Sequence, residues 1–457
     1  MADGTTALAA TPLAAAAPPS PAPLGILLRR VWALAAPTTA IAALQSAAQL
    51  AEPWLASRQG TAALAGWAVV LPFALLMQQM STGAMGGGVV SAIARALGAG
   101  RREEASTLVV HALVIALGFG LLFALVLAGF SHAILGLIGG AEAAAAAASY
   151  CAWLFGAGAV PAWMANTLAS VLRGGGRHAL ASRVLLLGWI AYPPLAWVLM
   201  EPAGLGLAGI GIAFAISMAA ASIGMAVVVL RGGAGFTPDL RVRLQAALFW
   251  RILSVGLVAC AMATIANLAT ILVTARIAAY GPVAVAAYGV SARIEFLMVP
   301  LSFGVGSALT ALVGRSVGAG DWGTARRTAW AGALMALAVT LVVGVFVSVA
   351  PGFTAASFSR DPEVVAIATQ ALSVIGFALP GFGVGMALYF ASMGAGRMAG
   401  PVLAAVTRVV LAVGGGWLLS DILGFGLQGQ FVAVALGISA YGLITAASVR
   451  RGVWSAR

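Results

Sequence analysis

Charged positions are so sparse along this chain that uninterrupted apolar runs, rather than alternation, set its pattern. No Asp, Glu, Lys or Arg occurs in residues 31–51, 59–94, 105–141, 202–230, 252–275, 296–314, 328–359, 364–396 or 427–449. Each run can hold a membrane-crossing helix, which needs about 20 apolar residues. Broken at turn residues and charges, they predict twelve helices, near 31–56, 62–90, 105–130, 146–171, 180–200, 205–230, 250–275, 282–313, 324–349, 364–391, 400–420 and 427–449. The connector between the sixth and seventh carries Gly232-Gly233, Pro238-Asp239 and Arg231, Arg241, Arg243 and Arg251. Its Leu240, Leu244, Ala247 and Leu248 suggest an amphipathic segment lying on the membrane surface.

The pattern also repeats. Ala96-Leu97-Gly98-Ala99-Gly100 is answered 220 residues later by Ser316-Val317-Gly318-Ala319-Gly320, and Gly174-Gly175-Gly176-Arg177 by Gly394-Ala395-Gly396-Arg397. At the same offset Arg95 faces Arg315 and Ala105 faces Ala325. Two matches at one offset argue for a duplicated unit. Six helices precede the connector, so the second unit begins on the same side as the first. The expected fold is an all-α polytopic membrane protein, its two six-helix lobes related by a pseudo-twofold axis along the membrane normal. Its expected divisions are a disordered tail over 1–26, an N-lobe over 27–230, a linker over 231–249, a C-lobe over 250–449 and a tail over 450–457.

Composition narrows the function. The chain is 62% hydrophobic and 8% charged, with a net charge of +12 and no lysine. Its arginines are scattered singly among apolar runs, which suits no nucleic-acid surface; the excess of positive charge on cytoplasmic loops explains them better. With the N-terminus inside, twenty arginines fall on inner segments and three, Arg58, Arg276 and Arg360, on outer ones. Both termini are therefore expected in the cytoplasm, with the protein in the inner or plasma membrane. Cys151 and Cys260 sit in apolar runs as packing residues. Residues 1–24 lack the layout of a cleavable signal peptide, and Arg29-Arg30 read better as the positive inner flank of helix 1 than as a twin-arginine signal. Gly83 to Gly88 has no GKS or GKT ending, so ATP-driven export is not implied. No metal-spaced His/Cys group and no nucleophile with a plausible base points to an enzyme. Membrane lipids are expected partners, the expected state is a monomer, and the only cofactor would be a coupling H⁺ or Na⁺.

Two carboxylates interrupt the apolar spans. Intramembrane carboxylates are costly and tend to be functional. On helix 1, Thr38, Gln45, Gln49 and Glu52 fall within about 40° of one direction at 100° per residue, so a polar stripe runs down one face toward Glu52. Pro37 and Pro53 each remove a backbone donor and invite a bend. Glu52 reads either as a coupling group that exchanges a proton or binds Na⁺, or as an interfacial residue that is hydrated or paired with Arg58. Glu295 is more ambiguous. Arg293 lies two residues away on the opposite side of a straight helix, so a structural pairing elsewhere and a coupling role both stay open. Helix 7 carries a weaker stripe of Asn267, Thr270 and Thr274. Gln78, Gln79, Asn166, Thr167, Tyr389 and Ser392 could extend a cavity lining or serve as helix–helix hydrogen bonds. His111 reads as structural.

Taken together, these residues resemble the multidrug and toxic compound extrusion (MATE) family over roughly 27–450, closer to its DinF-like type with proton coupling in the N-lobe. The resemblance rests on Pro37 followed fifteen residues later by Glu52, on Gly60-Thr61-Ala62-Ala63-Leu64-Ala65, on Gly98-Ala99-Gly100 and Gly318-Ala319-Gly320, and on Leu172-Arg173-Gly174-Gly175-Gly176. It implies a secondary antiporter exporting amphipathic, often cationic, compounds by alternating access, with Glu52 in the place of the family's usual helix 1 Asp. Two departures stand out. The helix 5 acid of such members is missing from Gly188-Trp189-Ile190-Ala191-Tyr192-Pro193, and helices 7 and 10 carry none of the acids of a C-lobe cation site. A lipid-linked precursor flippase of the same superfamily and a non-transporting membrane scaffold are the alternative readings.

Overall fold

The computed structural model describes residues 22–450 and 454–455. The expected disordered tail thus falls mainly on residues 1–21, outside the described residues, as do Arg451 and Arg457. Among the described residues every regular element is helical. Eleven helices are long and apolar enough to cross a membrane, and a bent pair supplies a twelfth. In chain order they are α1 (Leu24–Arg58), α2 (Thr61–Gly98), α3 (Arg102–Ala128), α4 (Gly140–Ala157 and Ala159–Gly174, bent by 43°), α5 (His178–Met200) and α6 (Ala208–Leu230). The second set is α7 (Ala246–Ala278), α8 (Pro282–Gly318), α9 (Trp322–Val349), α10 (Pro362–Ala395), α11 (Ala399–Ile422) and α12 (Gly426–Ser448).

Several helices outrun the lengths that apolar runs predict. Arg29 and Arg30 lie inside α1, because arginine is a good helix former and a charge need not end a helix at the headgroup level. Helix also fills two stretches expected as loops. One begins at Ser131 and turns at Gly140 (φ 80°) into α4; the other, Pro351–Phe358, starts from a proline whose fixed φ suits a first helical turn.

Residues 231–245 of the connector form turns and irregular backbone, and Leu240, Leu244 and Ala247 are exposed while Leu248 is buried within α7. The glycine pair and Pro238 disfavour a helix there. Side chains from α3 hold the segment instead. Ser106 Oγ donates to the Thr237 carbonyl (3.1 Å) and accepts the Asp239 N–H (2.7 Å). His111 Nε2 accepts the Gln245 N–H (2.9 Å) just ahead of α7.

The lobes interlock at one end. Val31 and Ala35, early in α1, are buried in a cluster with Val305, Ala308 and Leu309 of α8. Reciprocally, Ile252, Val255 and Ala259 of α7 are buried in the cluster built by α2 to α6. Here α2 and α8 cross at their ends. A Cβ on Gly98 would lie 2.1 Å from the Arg315 carbonyl oxygen, and one on Gly318 2.1 Å from that of Arg95. Only glycine permits so close an approach. Arg315 Nη2 then donates across the seam to the Gly175 carbonyl (3.1 Å), while Arg95 lies against Gly396. The repeated glycines and arginines therefore meet each other in space.

One difference breaks the repeat. α2 spans 38 residues and α8 spans 37. The extra residue of α2 is taken up by a π-helical turn over Gln79–Ala84, a wider turn that accommodates one inserted residue and often marks functional sites.

Candidate functional site

Glu52 lies near the end of α1 remote from the interlocked seam, and it is 8% exposed. α1 runs without interruption through Pro37 and Pro53. The chain then turns at Gly60 (φ 100°) into α2, which brings Trp67 back beside the carboxylate. Trp67 Nε1 donates to Glu52 Oε2 at 3.0 Å, and the Tyr192 hydroxyl on α5 donates to Oε1 at 2.8 Å. Each carboxylate oxygen thus accepts one side-chain hydrogen bond, as a buried charge requires. Tyr192 is fully buried, edge-on to Trp189 and Phe214 at 5.7 and 6.2 Å between ring centroids. Arg58 is engaged elsewhere: it forms an ion pair with Glu201 beyond α5. That contact holds the Glu201 carboxyl below its usual range, through the hydrogen bond first and the charge second.

Glu52 forms part of the wall of a small cavity, with Gln49, Leu71, Gln78, Tyr150, Trp189 and Phe214 among its other lining residues. All its lining residues belong to the first six helices. The predicted polar stripe is divided accordingly. Gln49 and Glu52 face the cavity. Thr38 is buried against α5, its Oγ1 3.1 Å from His178 Nδ1, and Gln45 is partly buried with no hydrogen bond from its side chain among the described residues. Pro37 sits beside Thr38 at that seam end.

The remaining candidates do not share one inter-lobe cavity. Asn166 is buried behind the wall, donating to Gln78 Oε1 (3.1 Å) and Ser81 Oγ (2.9 Å). Asn267 donates across the lobes to Gln79 Oε1 (3.1 Å), at the π-helical turn of α2. Thr270 and Thr274 bond to carbonyls of their own helix. Tyr389 is buried with its ring 5.0 Å from that of Phe390. Glu295 forms an ion pair with Arg408 of α11, whose guanidinium also lies 5.6 Å from the Phe382 ring, whereas Arg293 is exposed. The pair Arg293 and Glu295 is therefore not one charge site.

Sequence reasoning missed Trp67 and Tyr192. The available signal was their chemistry: each is an aromatic residue with a polar tip inside an apolar run, and such tips find partners when buried. Tyr192 stands in the very segment where an acid was sought.

Two repeated six-helix lobes, twelve apolar spans and a buried carboxylate beside a small cavity define a polytopic helical membrane protein. The MatE family profile matches residues 37–198 and 257–418, one stretch in each lobe, and the chain belongs to this family of integral membrane transporters for small molecules. Solved structures share the fold. A MOP superfamily transporter from Pyrococcus furiosus, described as having a binding pocket of reverse polarity, is 21% identical with a TM-score of 0.87, over 93% of this chain and 96% of that one. A mutant of the Vibrio cholerae MATE transporter VcmN is 21% identical with a TM-score of 0.85, over 93% and 97%. A MATE protein in its bent conformation is 22% identical with a TM-score of 0.87, over 95% and 98%. No sequence among the curated proteins matches this chain.

Proposed function

We propose that this protein is a proton-coupled exporter of amphipathic organic compounds, cationic ones among them, with Glu52 as the coupling group. The observation that carries the reading is the Glu52 carboxylate, buried in the N-lobe with Trp67 and Tyr192 donating to it at the cavity wall. Both partners donate, so the pair suits the ionised form. A proton added to either oxygen removes the negative charge and makes that oxygen a donor and a poorer acceptor, so both bonds weaken. Protonation would therefore loosen α1 from α2 and α5 and change the hydration of Gln49 and Gln78. Flux is coupled only if proton affinity differs between substrate-bound and free states, or between lobe states. Sodium fits less well. It takes several oxygen ligands, and here both carboxylate oxygens face donors.

The remaining assignments follow from the arginine bias. The interlocked seam with Arg95, Arg177, Arg315 and Arg397 would face the cytoplasm, with both termini on that side of the plasma or inner membrane. Residues 27–230 and 250–449 would move as the N- and C-lobes about the 231–249 linker, in a monomer surrounded by lipid.

The test is substrate-induced proton movement in proteoliposomes. Wild type should exchange protons for a lipophilic cation, and Glu52→Gln should lower exchange at least about tenfold, about 1.4 kcal/mol, while keeping its fold. Full coupling in Glu52→Gln would remove Glu52 from the mechanism. Movement of lipid-linked sugars without any drug flux would favour a flippase.

A further inference from the structure

A second, small cavity lies in the seam between the lobes. α2 contributes Thr82, Gly83, Gly87 and Val90, and α8 and α10 contribute Phe303, Ser307, Thr310 and Phe390. Arg173, from the last turn of α4, completes the wall. Its side chain is among the most deeply buried in the molecule, at 2% exposure. Yet Arg173 takes part in none of the five ion pairs among the described residues. Its Nε has no hydrogen-bond partner, and no acceptor among the described residues bonds to its other nitrogens. The Phe303 ring faces the guanidinium, 5.5 Å from its carbon to the centroid.

A permanent charge without an acceptor is costly to bury. Two things offset part of that cost. The C-terminal end of α4 carries partial negative charge, and the face of Phe303 attracts a cation. Neither supplies hydrogen-bond acceptors to five N–H donors. The cavity around the guanidinium adds two free hydroxyls, each able to donate and to accept, and no charge. Thr82 Oγ1 is buried without a partner, and the Ser307 hydroxyl makes no hydrogen bond among the described residues. Thr310 already donates to the Phe390 carbonyl at 2.9 Å. No carboxylate lines the space. One guanidinium and two free hydroxyls, walled by aromatic rings 5.9 Å apart, are complementary to negative charge.

We propose that this cavity binds one small anionic group, chloride or the carboxylate of an organic anion, held by Arg173 with Thr82 and Ser307. The site goes beyond the export reading, because it shares no residue with the Glu52 cluster. Its donors come from both lobes, so occupancy would bridge α4 and α2 to α8 and favour the closed seam. The matching position in the C-lobe is Met393, whose Cε packs at Gly87, so the repeat supplies no second guanidinium there.

The experiment is calorimetric titration of the full chain in nanodiscs, in a buffer whose own anion is a bulky sulfonate. Sodium chloride and sodium acetate are the two probes. One saturable site per chain is expected for at least one probe; chloride alone marks an inorganic co-ion, and acetate alone marks a carboxylate head. Arg173→Gln should weaken binding at least about tenfold, and the double variant Thr82→Val/Ser307→Ala about threefold to tenfold, from the loss of hydrogen bonds to charge. Absence of saturable binding of both probes to wild type overturns the proposal, as does unchanged affinity in the double variant. The double variant decides alone if Arg173→Gln fails to fold. Glu52→Gln should bind the anion as wild type does, so its loss of transport and a loss of this site are separate results.

Discussion

The two lobes are built on one pattern, and at one corner of it three positions differ in chemistry. In the N-lobe, Glu52, Trp67 and Tyr192 meet as an acceptor between two donors. Gly60 and Gly281 begin the second helix of each lobe with φ of 100° and 98°, which aligns Glu52 with Val273 and Trp67 with Tyr288. The 220-residue offset aligns Tyr192 with Ala412. Val273, Tyr288 and Ala412 are again neighbours, buried in one apolar cluster. The same corner of the fold is thus a hydrogen-bonded carboxylate in one lobe and plain packing in the other. Duplication reproduces where side chains meet; chemistry depends on which side chains are there.

Transplanting the acid gives the largest expected effect. Val273→Glu would bury a carboxylate where Ala412 offers no donor, and should cost about 3–5 kcal/mol of stability, seen as a lower unfolding temperature in detergent. It should not restore coupling to Glu52→Gln; restored coupling would make the lobes interchangeable. Next comes the tyrosine pair. Tyr192→Phe removes a hydrogen bond to charge, about 1.5–3 kcal/mol, and should slow proton exchange by roughly tenfold or more. The Tyr288 hydroxyl has no hydrogen bond among the described residues, so Tyr288→Phe should leave exchange and stability within about 0.5 kcal/mol of wild type.

At the seam the lobes are nearly equivalent, and the remaining inequality can be measured. Arg315 donates to a carbonyl of the other lobe, whereas the hydrogen bond of Arg95 goes to Ser91 of its own helix. Arg315→Ala should therefore open this end more than Arg95→Ala, by about 1 kcal/mol, read from distances between spin labels on Ala99 and Ala319. Equal opening would mean that the glycine crossing alone holds the seam.

The smallest effect belongs to the far end, where Arg58 lowers the proton affinity of Glu201 from its usual 4.5. A carboxyl with depressed folded-state affinity adds stability that is present above its ordinary value and lost as pH falls through the folded one. Unfolding temperature should drop on acidification below about pH 4.5, and Arg58→Ala should flatten that drop.

Much of this was legible in the chain because a membrane leaves few choices. Charge-free runs of about 20 residues must become helices, since lipid satisfies no backbone group. The stripe on α1 follows from helix angles alone, but those angles do not make it one surface. Neighbouring helices decided that Thr38 meets His178 while Gln49 and Glu52 face a cavity. Glu295 shows the same limit from the other side: its counter-charge, Arg408, lies 113 residues away on α11.

The sequence by itself determined the twelve spans, the repeated halves and the solitary acid on α1, because these depend on local polarity, periodicity and the cost of charge in lipid. Tertiary structure alone decided which partners those residues meet. It gave Glu52 the indole of Trp67 and the hydroxyl of Tyr192, paired Arg58 with Glu201, and left Arg173 without an acceptor in the seam. Contacts between helices far apart in sequence depend on how their faces rotate and cross, down to the one-residue π-helical turn of α2, and no periodicity within a single helix encodes that.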